Sequence, residues 1–191
     1  FRRSRGLGDV YKRQILLCPE GLSFWGGVDP ETGTIIDIHH PCYQQNISGK
    51  ILMIPSSRGS CSGSGVLLEL CLKNIAPAAI IFHEAEEILS LGALVAERIF
   101  KKPIPIIKLQ KQHYLILRNS SFAKIHRNRL QTDSFNFELT VIKTEHLYLS
   151  KYDKDTLVGK YGNAAKTAME IICLMAAAND TNTLIDIHKG H

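Results

Sequence analysis

One arginine, five serines, a cysteine and three glycines fall within PSSRGSCSGSG, residues 55–65. These residue types share one use, which is to hold and activate an anion. The Arg58 guanidinium can grip a carboxylate or phosphate through two parallel hydrogen bonds. Gly59, Gly63 and Gly65 let the backbone approach a ligand closely and adopt positive φ. Ser56, Ser57, Ser60, Ser62 and Ser64 offer hydroxyls. An alkoxide lies far from neutral pH, so any of them needs nearby N–H groups and a cation to serve as a base. The plain alternative is a polar loop whose serine caps a helix. Residue types alone leave both readings open.

The elements on either side must hold this loop. Lys50 to Ile54 reads as a strand, and Val66 to Lys73 as a helix with Val66, Leu67, Leu70 and Cys71 turned inward. Strand, turn and helix together set unpaired backbone amides and the positive end of a helix dipole beside the serines. The loop matches none of the familiar phosphate or nucleophile motifs. No lysine follows the glycines as in GxxxxGK[ST], and the GxGxxG order is absent. Gly63-Ser64-Gly65 also lacks the spacing of a GxSxG elbow.

Further along, alternation of apolar runs predicts an α/β fold. Gln14 to Cys18 reads as a strand. A tight turn at Asp29-Pro30-Glu31-Thr32-Gly33 leads into a strand over Thr34 to Ile38, making a hairpin. Ala76 to Phe82 has the continuous apolar character of a buried strand. Glu87 to Phe100 is the clearest helix, and Ile104 to Leu109 the next strand. Residues 118–143 hold one or two closing strands, such as Phe135 to Ile142. Helices are expected over Asp153 to Leu157 and Asn163 to Ala178.

Other chemical groups carry weaker signals. His39 and His40 are adjacent, so on a strand they point to opposite faces and do not share one metal. His83 and Glu84 follow a buried strand, where ligand loops of α/β folds sit. Trp25, Gly26 and Gly27 read as a packed aromatic turn or a cleft rim. Cys61 has no Cys or His at ligand spacing, so no metal ligand is assigned. The five cysteines form no CxxC pair, which fits a reducing compartment such as the cytoplasm.

Several of these segments resemble one family. FWGGVDPETGTIIDIHHP (24–41), GKILMIPSSRGSCSGSGVLLEL (49–70) and APAAIIFHEAEEILSLGALVAERIF (76–100) are similar to the swivelling small domain of aconitase X. LYLSKYDKDTLVGKYGNAAKTAMEII (147–172) and TLIDIHKGH (183–191) resemble the opening of that family's catalytic domain. The resemblance implies a swivelling β/β/α domain with a mixed sheet and flanking helices over residues 15–142. A linker at 143–146 and a truncated α/β start over 147–191 follow from it.

It also implies a hydro-lyase that removes water from a hydroxy acid, with Ser60 as the base. Arg58, Gly59, Cys61, Ser62, Gly63 and His191 would contact substrate. An iron or iron–sulfur centre would be held by the catalytic domain beyond residue 191. Family substrates are cis-3-hydroxy-L-proline and phosphomevalonate, and a small domain fused to the large one favours the first. The expected partners are that hydroxy acid and the remainder of the catalytic domain. A non-catalytic module binding an anion on the same loop is the rival.

The charge argues against nucleic acid as a partner. FRRSRGLGDVYKRQ, residues 1–14, resembles translated sequencing-adapter tails and is read as a non-native tail. It holds Arg2, Arg3, Arg5, Lys12 and Arg13 against Asp9. Without it, 18 basic residues face 17 acidic ones and the net charge falls from +5 to +1. The basic character is mostly the tail, so it says little of a polyanionic partner. No membrane span is seen in the sequence.

Overall fold

In the computed structural model, residues 10–59, 62–86, 88–126 and 129–139 are described. Two apolar strands set the pattern: β3 (Ile51–Met53) and β5 (Ala79–Phe82), buried at every position. Ile51 and Met53 join one core, while Leu52 and Ile54 join the other. Ala79 and Ile81 divide from Ile80 and Phe82 in the same way. A strand covered on both faces has no polar side, which is why these runs read as continuously apolar.

The remaining elements are β1 (Val10–Leu17), β2 (Leu22–Ser23), β4 (Ser57–Arg58), α1 (Ser62–Leu72), α2 (Ile88–Arg98), β6 (Ile106–Lys108), α3 (Lys111–Leu117), β7 (Phe122–His126), β8 (Arg129–Gln131) and β9 (Asn136–Glu138). Seven strands form one mixed sheet in the order β6-β5-β3-β1-β7-β8-β9, and β2 and β4 form a small parallel pair. From β6 to β1 neighbours run parallel; from β1 to β9 they run antiparallel. One face carries α1, α2 and the segment between β2 and β3, with Phe24, Val28, Ile35 and Ile47 in its core. The other carries α3 through Tyr114 and Leu117. Helices α1 and α2 meet closely because Gly92 has no side chain. A Cβ there would lie 2.8 Å from the Ser64 carbonyl oxygen. Among the described residues no helix is long and apolar enough to cross a membrane.

The α/β class with a mixed sheet and flanking helices is as expected, but several boundaries differ. Strand β1 starts at Val10 and not at Gln14, so the tail read through residue 14 is too long. Val10, Arg13 and Gln14 pair with Ile125, Ala123 and Phe122 of β7. The exposed side chains of residues 12–14 show no apolar period, yet pairing with β7 uses only their backbone. Thr34 to Ile38 is not a strand. The Asp29 turn forms, with Gly33 N–H donating to the Asp29 carbonyl at 2.8 Å and Gly33 at φ 71°. Beyond it only single bridges follow, Val28 to Ile35 and Thr34 to Asn46. Asp37 accepts the His39 N–H at 2.9 Å and turns the chain away.

Of Phe135 to Ile142, β9 begins only at Asn136, because a turn closes on Thr132, whose hydroxyl accepts the Phe135 N–H at 3.0 Å; residues 140–142 lie outside the described residues. Helix α1 begins at Ser62, so it absorbs Gly63, Ser64 and Gly65. Helix α3 was not expected at all. The linker at 143–146, the helices expected near 153 and 163 and the start of the second domain lie outside the described residues.

Tyr114 carries a testable cost. It is 5% exposed, and its hydroxyl finds no hydrogen-bond partner. Its ring meets His83 edge-on at 4.5 Å, a contact that phenylalanine would keep. Burial pushes the phenol well above its ordinary pKa. Tyr114→Phe is therefore expected to raise stability by about 1–3 kcal/mol, the penalty of an unsatisfied buried group. The gap should widen above pH 10. There the unfolded tyrosine loses its proton while the native one keeps it, so the wild-type protein alone loses stability. Urea unfolding of both proteins at pH 7 and pH 10.5 measures this.

Candidate functional site

The serine loop lies where the parallel strands end. Cys18 N–H donates to the Met53 carbonyl at 2.8 Å, and Ile54 N–H to that of Ile81 at 3.1 Å. His83 and Glu84 both donate to the Pro55 carbonyl, at 3.3 and 3.1 Å. The carboxyl ends of β1, β3 and β5 are thus tied together, the edge where open α/β sheets take ligands. From this edge the chain leaves the main sheet. Strand β4 pairs with β2, Ser57 with Leu22 and Arg58 with Ser23.

Gly59 follows with φ 100°, a conformation that disfavours any L side chain. Arg58 Nη2 lies 3.6 Å from Glu20 Oε2, both side chains more than half exposed. Water screens such a pair, so the guanidinium stays available to a second anion. Ser62 opens α1 and has polar contacts of its own.

Two of the hydroxyls are committed to structural bonds. Ser64 is fully buried and donates to the Ile88 carbonyl, so it fastens α1 to α2. Ser57 donates to Glu86 Oε1 at 2.8 Å. Gly63 packs under Phe24 and Ile88, with ideal Cβ contacts of 3.6 and 3.8 Å, and serves close approach there. Ser60, Cys61 and His191, all expected to act on substrate, lie outside the described residues. Arg58, Gly59, Ser62 and Gly63 do come together on one short path from β4 into α1.

Glu86 was missed in the sequence, although the Glu86-to-Ser90 spacing was a signal. Its carboxylate accepts Leu89 N–H at 2.6 Å, Ser90 N–H at 2.9 Å, Ser90 Oγ at 2.8 Å and Ser57 Oγ. The N-terminus of α2 is therefore already satisfied by the chain's own anion, and the same carboxylate anchors β4. Glu86→Ala is expected to cost about 1–3 kcal/mol, because it removes the acceptor of two amides and of the Ser57 hydroxyl, while the Ser90 hydroxyl keeps the residue-86 carbonyl at 3.2 Å. Thermal melting compared with Glu86→Gln, which keeps part of the network, checks this.

A second constellation was also missed. Cys18, His40 and Cys42 are all buried, and one ligand atom from each lies within 4.8 Å of the others. Burial first, and the hydrogen bond with Cys42 second, push the Cys18 thiol well above its ordinary pKa. His40 is inward and His39 exposed, the opposition that adjacent residues favour. His40-x-Cys42 was visible as a spacing, but Cys18 joins it only through the fold.

The iron–sulfur centre that the family resemblance implied does not fit this group. Three atoms within 4.8 Å of one another enclose a point at most about 2.8 Å from each, room for one ion at ordinary bond lengths and not for a cluster of several atoms.

The aconitase X swivel domain matches residues 3–132, and the aconitase X first domain matches residues 146–191. A cis-3-hydroxy-L-proline dehydratase of Pseudomonas aeruginosa is 42% identical over 185 residues, 93% of this chain and 32% of that protein. A phosphomevalonate dehydratase small subunit of Methanothermobacter thermautotrophicus is 46% identical over 93 residues, 49% of this chain and 69% of that one. The crystal structure of Thermococcus kodakaraensis aconitase X superposes with a TM-score of 0.53 at 32% identity, covering 71% of this chain and 93% of that one. The chain spans about a third of the length of the hydroxyproline dehydratases it matches, 32% and 30%. A mixed sheet flanked by helices, an arginine–serine loop at its carboxyl edge and matches over both segments lead to one conclusion: the chain belongs to the aconitase X family.

Proposed function

We propose that this chain supplies the swivelling domain, and the opening of the catalytic domain, of a hydro-lyase that dehydrates cis-3-hydroxy-L-proline. The observation that carries the reading is the Pseudomonas aeruginosa relative, whose identity runs through 93% of this chain and so through both segments together. The phosphomevalonate relative is a small subunit that matches only about half of it. On this reading residues 10–142 form the swivelling domain, 143–146 the linker and 147–191 the start of the catalytic domain.

Dehydration takes a proton from one carbon while the hydroxyl leaves the next. Ser60 is the proposed proton acceptor. Gly59, with its positive φ, turns the chain just before it, and the N-terminus of α1 follows it closely. Amides at a helix start favour negative charge, so they lower the cost of an alkoxide there. Arg58 is the proposed grip on the substrate carboxylate, exchanging its exposed pairing with Glu20 for a bidentate one. Ser62, Gly63 and Cys61 would line the same turn, and His191 would reach the substrate from the second domain.

The iron or iron–sulfur centre, which supplies a Lewis acid for the leaving hydroxyl, is assigned to the remainder of the catalytic domain. The test is direct assay of the complete enzyme carrying this domain. Turnover of cis-3-hydroxy-L-proline, with none of phosphomevalonate, is expected. The opposite preference overturns the substrate assignment and leaves the hydro-lyase standing. Turnover of neither, with phosphate or carboxylate still bound, favours an anion-binding module.

A further inference from the structure

We propose that Cys18, His40 and Cys42 form a binding site for a single thiophilic cation, Zn²⁺ as the probe, which staples the segment between β2 and β3 to the end of β1. The donors come from two stretches far apart in sequence. Cys18 follows the last residue of β1, and His40 and Cys42 belong to the irregular chain between β2 and β3. They are 0%, 5% and 8% exposed. Two soft sulfurs and an imidazole are the donor set that selects zinc over hard cations. Two thiolates also neutralise a dication, so the occupied site carries no net charge into an apolar surrounding.

The imidazole takes this role by one exchange of partners. His40 Nδ1 accepts the Cys42 N–H at 3.1 Å, which leaves the proton on Nε2, 3.4 Å from the Glu20 carbonyl. Coordination through Nδ1 keeps the Nε2–H facing that carbonyl, as metal-bound histidines usually do, and replaces the Cys42 amide with the ion. Cys42 Sγ donates to the Leu17 carbonyl at 3.5 Å, a long contact that a thiolate gives up cheaply. From a common point about 2.8 Å away at most, the sulfurs must close by up to about 0.5 Å and the nitrogen by up to about 0.8 Å to reach the ~2.3 Å and ~2.0 Å of Zn–S and Zn–N bonds.

The site has a consequence for the serine loop. Glu20, two residues after Cys18, pairs with Arg58 and lends its carbonyl to His40. An ion held here would fix the backbone around Glu20 through Cys18 and the Glu20 carbonyl, beside the exposed partner of Arg58.

The full chain, reduced and incubated with zinc, then freed of excess by gel filtration, is expected to retain one equivalent by elemental analysis. Cobalt in its place should give thiolate-to-metal charge-transfer absorption and the strong visible bands of tetrahedral coordination. Cys18→Ser, Cys42→Ser and His40→Gln should each weaken binding by more than the roughly 10–100-fold that loss of an outer-shell partner costs. Cys61→Ser and Cys173→Ser should not change it.

Because a buried variant can misfold, the wild-type chain gives a second reading. Zinc should slow alkylation of Cys18 and Cys42, mapped by mass spectrometry, and leave Cys61 unaffected. The proposal is overturned if the reduced chain retains no metal, if binding survives all three substitutions, or if Cys18 and Cys42 alkylate equally with and without zinc. Dehydratase assays do not enter this test, so the two readings can fail separately.

Discussion

Ser60→Ala in the complete enzyme is expected to lower kcat by about 10²-fold or more, the usual cost of removing a proton acceptor. Folding should survive, since a lost helix cap costs about 0.5–2 kcal/mol at most. The structure sharpens the controls. Ser64 is buried and bonded to the Ile88 carbonyl, and Ser57 is bonded to Glu86, so their alanine variants should lower stability and spare kcat. Ser62 opens α1 and is the one near neighbour whose loss could mimic that of Ser60. An active Ser60→Ala beside a dead Ser62→Ala would move the base by two residues and keep the mechanism. Full activity in both would end the serine-base reading. Arg58→Ala separates binding from chemistry, because loss of a carboxylate grip should raise KM more than it lowers kcat. The 191-residue chain by itself is expected to show no dehydration of cis-3-hydroxy-L-proline.

What could be read from the sequence followed from burial on both faces or from a turn with fixed chemistry. Ile51 to Ile54 and Ala79 to Phe82 were legible because a strand covered twice must be apolar throughout. The Asp29 turn was legible because its carboxylate and Gly33 act within five residues. What was missed depends on contacts that no local pattern carries. Helix α3 has only Tyr114 and Leu117 buried, too few for a periodic signal. Helix α1 started early because Gly63 and Ser64 are needed against α2, so small residues that read as loop proved to be a helix crossing. Cys18 was invisible as a partner of His40 and Cys42, since more than twenty residues separate them. At the serine loop, a turn leading into a helix was legible from glycine and serine spacing, and Gly59 takes the positive φ that glycine permits. Its anchor, Glu86, came from a different strand–helix junction.

Cutting the chain before Ile15 rather than before Val10 is expected to be markedly destabilising. The exposed side chains of residues 12–14 suggest the opposite, because little apolar area is at stake. The argument lies in the backbone. Among the described residues, β1 is the only strand that pairs with both halves of the sheet, with β3 through residues 15–17 and with β7 mainly through residues 10–14. Removing residues 10–14 leaves β7 joined to the rest chiefly by the Ile15 N–H bond to the Ser121 carbonyl at 2.8 Å. Ala123, Ile125 and Leu130, buried at 1%, 0% and 0%, would then sit in a three-stranded flap no longer fastened in register.

Each ladder bond is worth about 0.5–1.5 kcal/mol net, so losing several costs on the order of 2–4 kcal/mol. That corresponds to a fall of roughly 5–15 °C in Tm for a domain of this size. The Lys12–Asp133 pair at 3.1 Å adds little, as both side chains are largely exposed and screened. Raising the ionic strength should therefore leave the difference between the two truncations almost unchanged. A difference that vanishes in salt would mean that the charges, and not the ladder, hold this strand. Equal melting temperatures for chains beginning at Val10 and at Ile15 would return residues 10–14 to the tail.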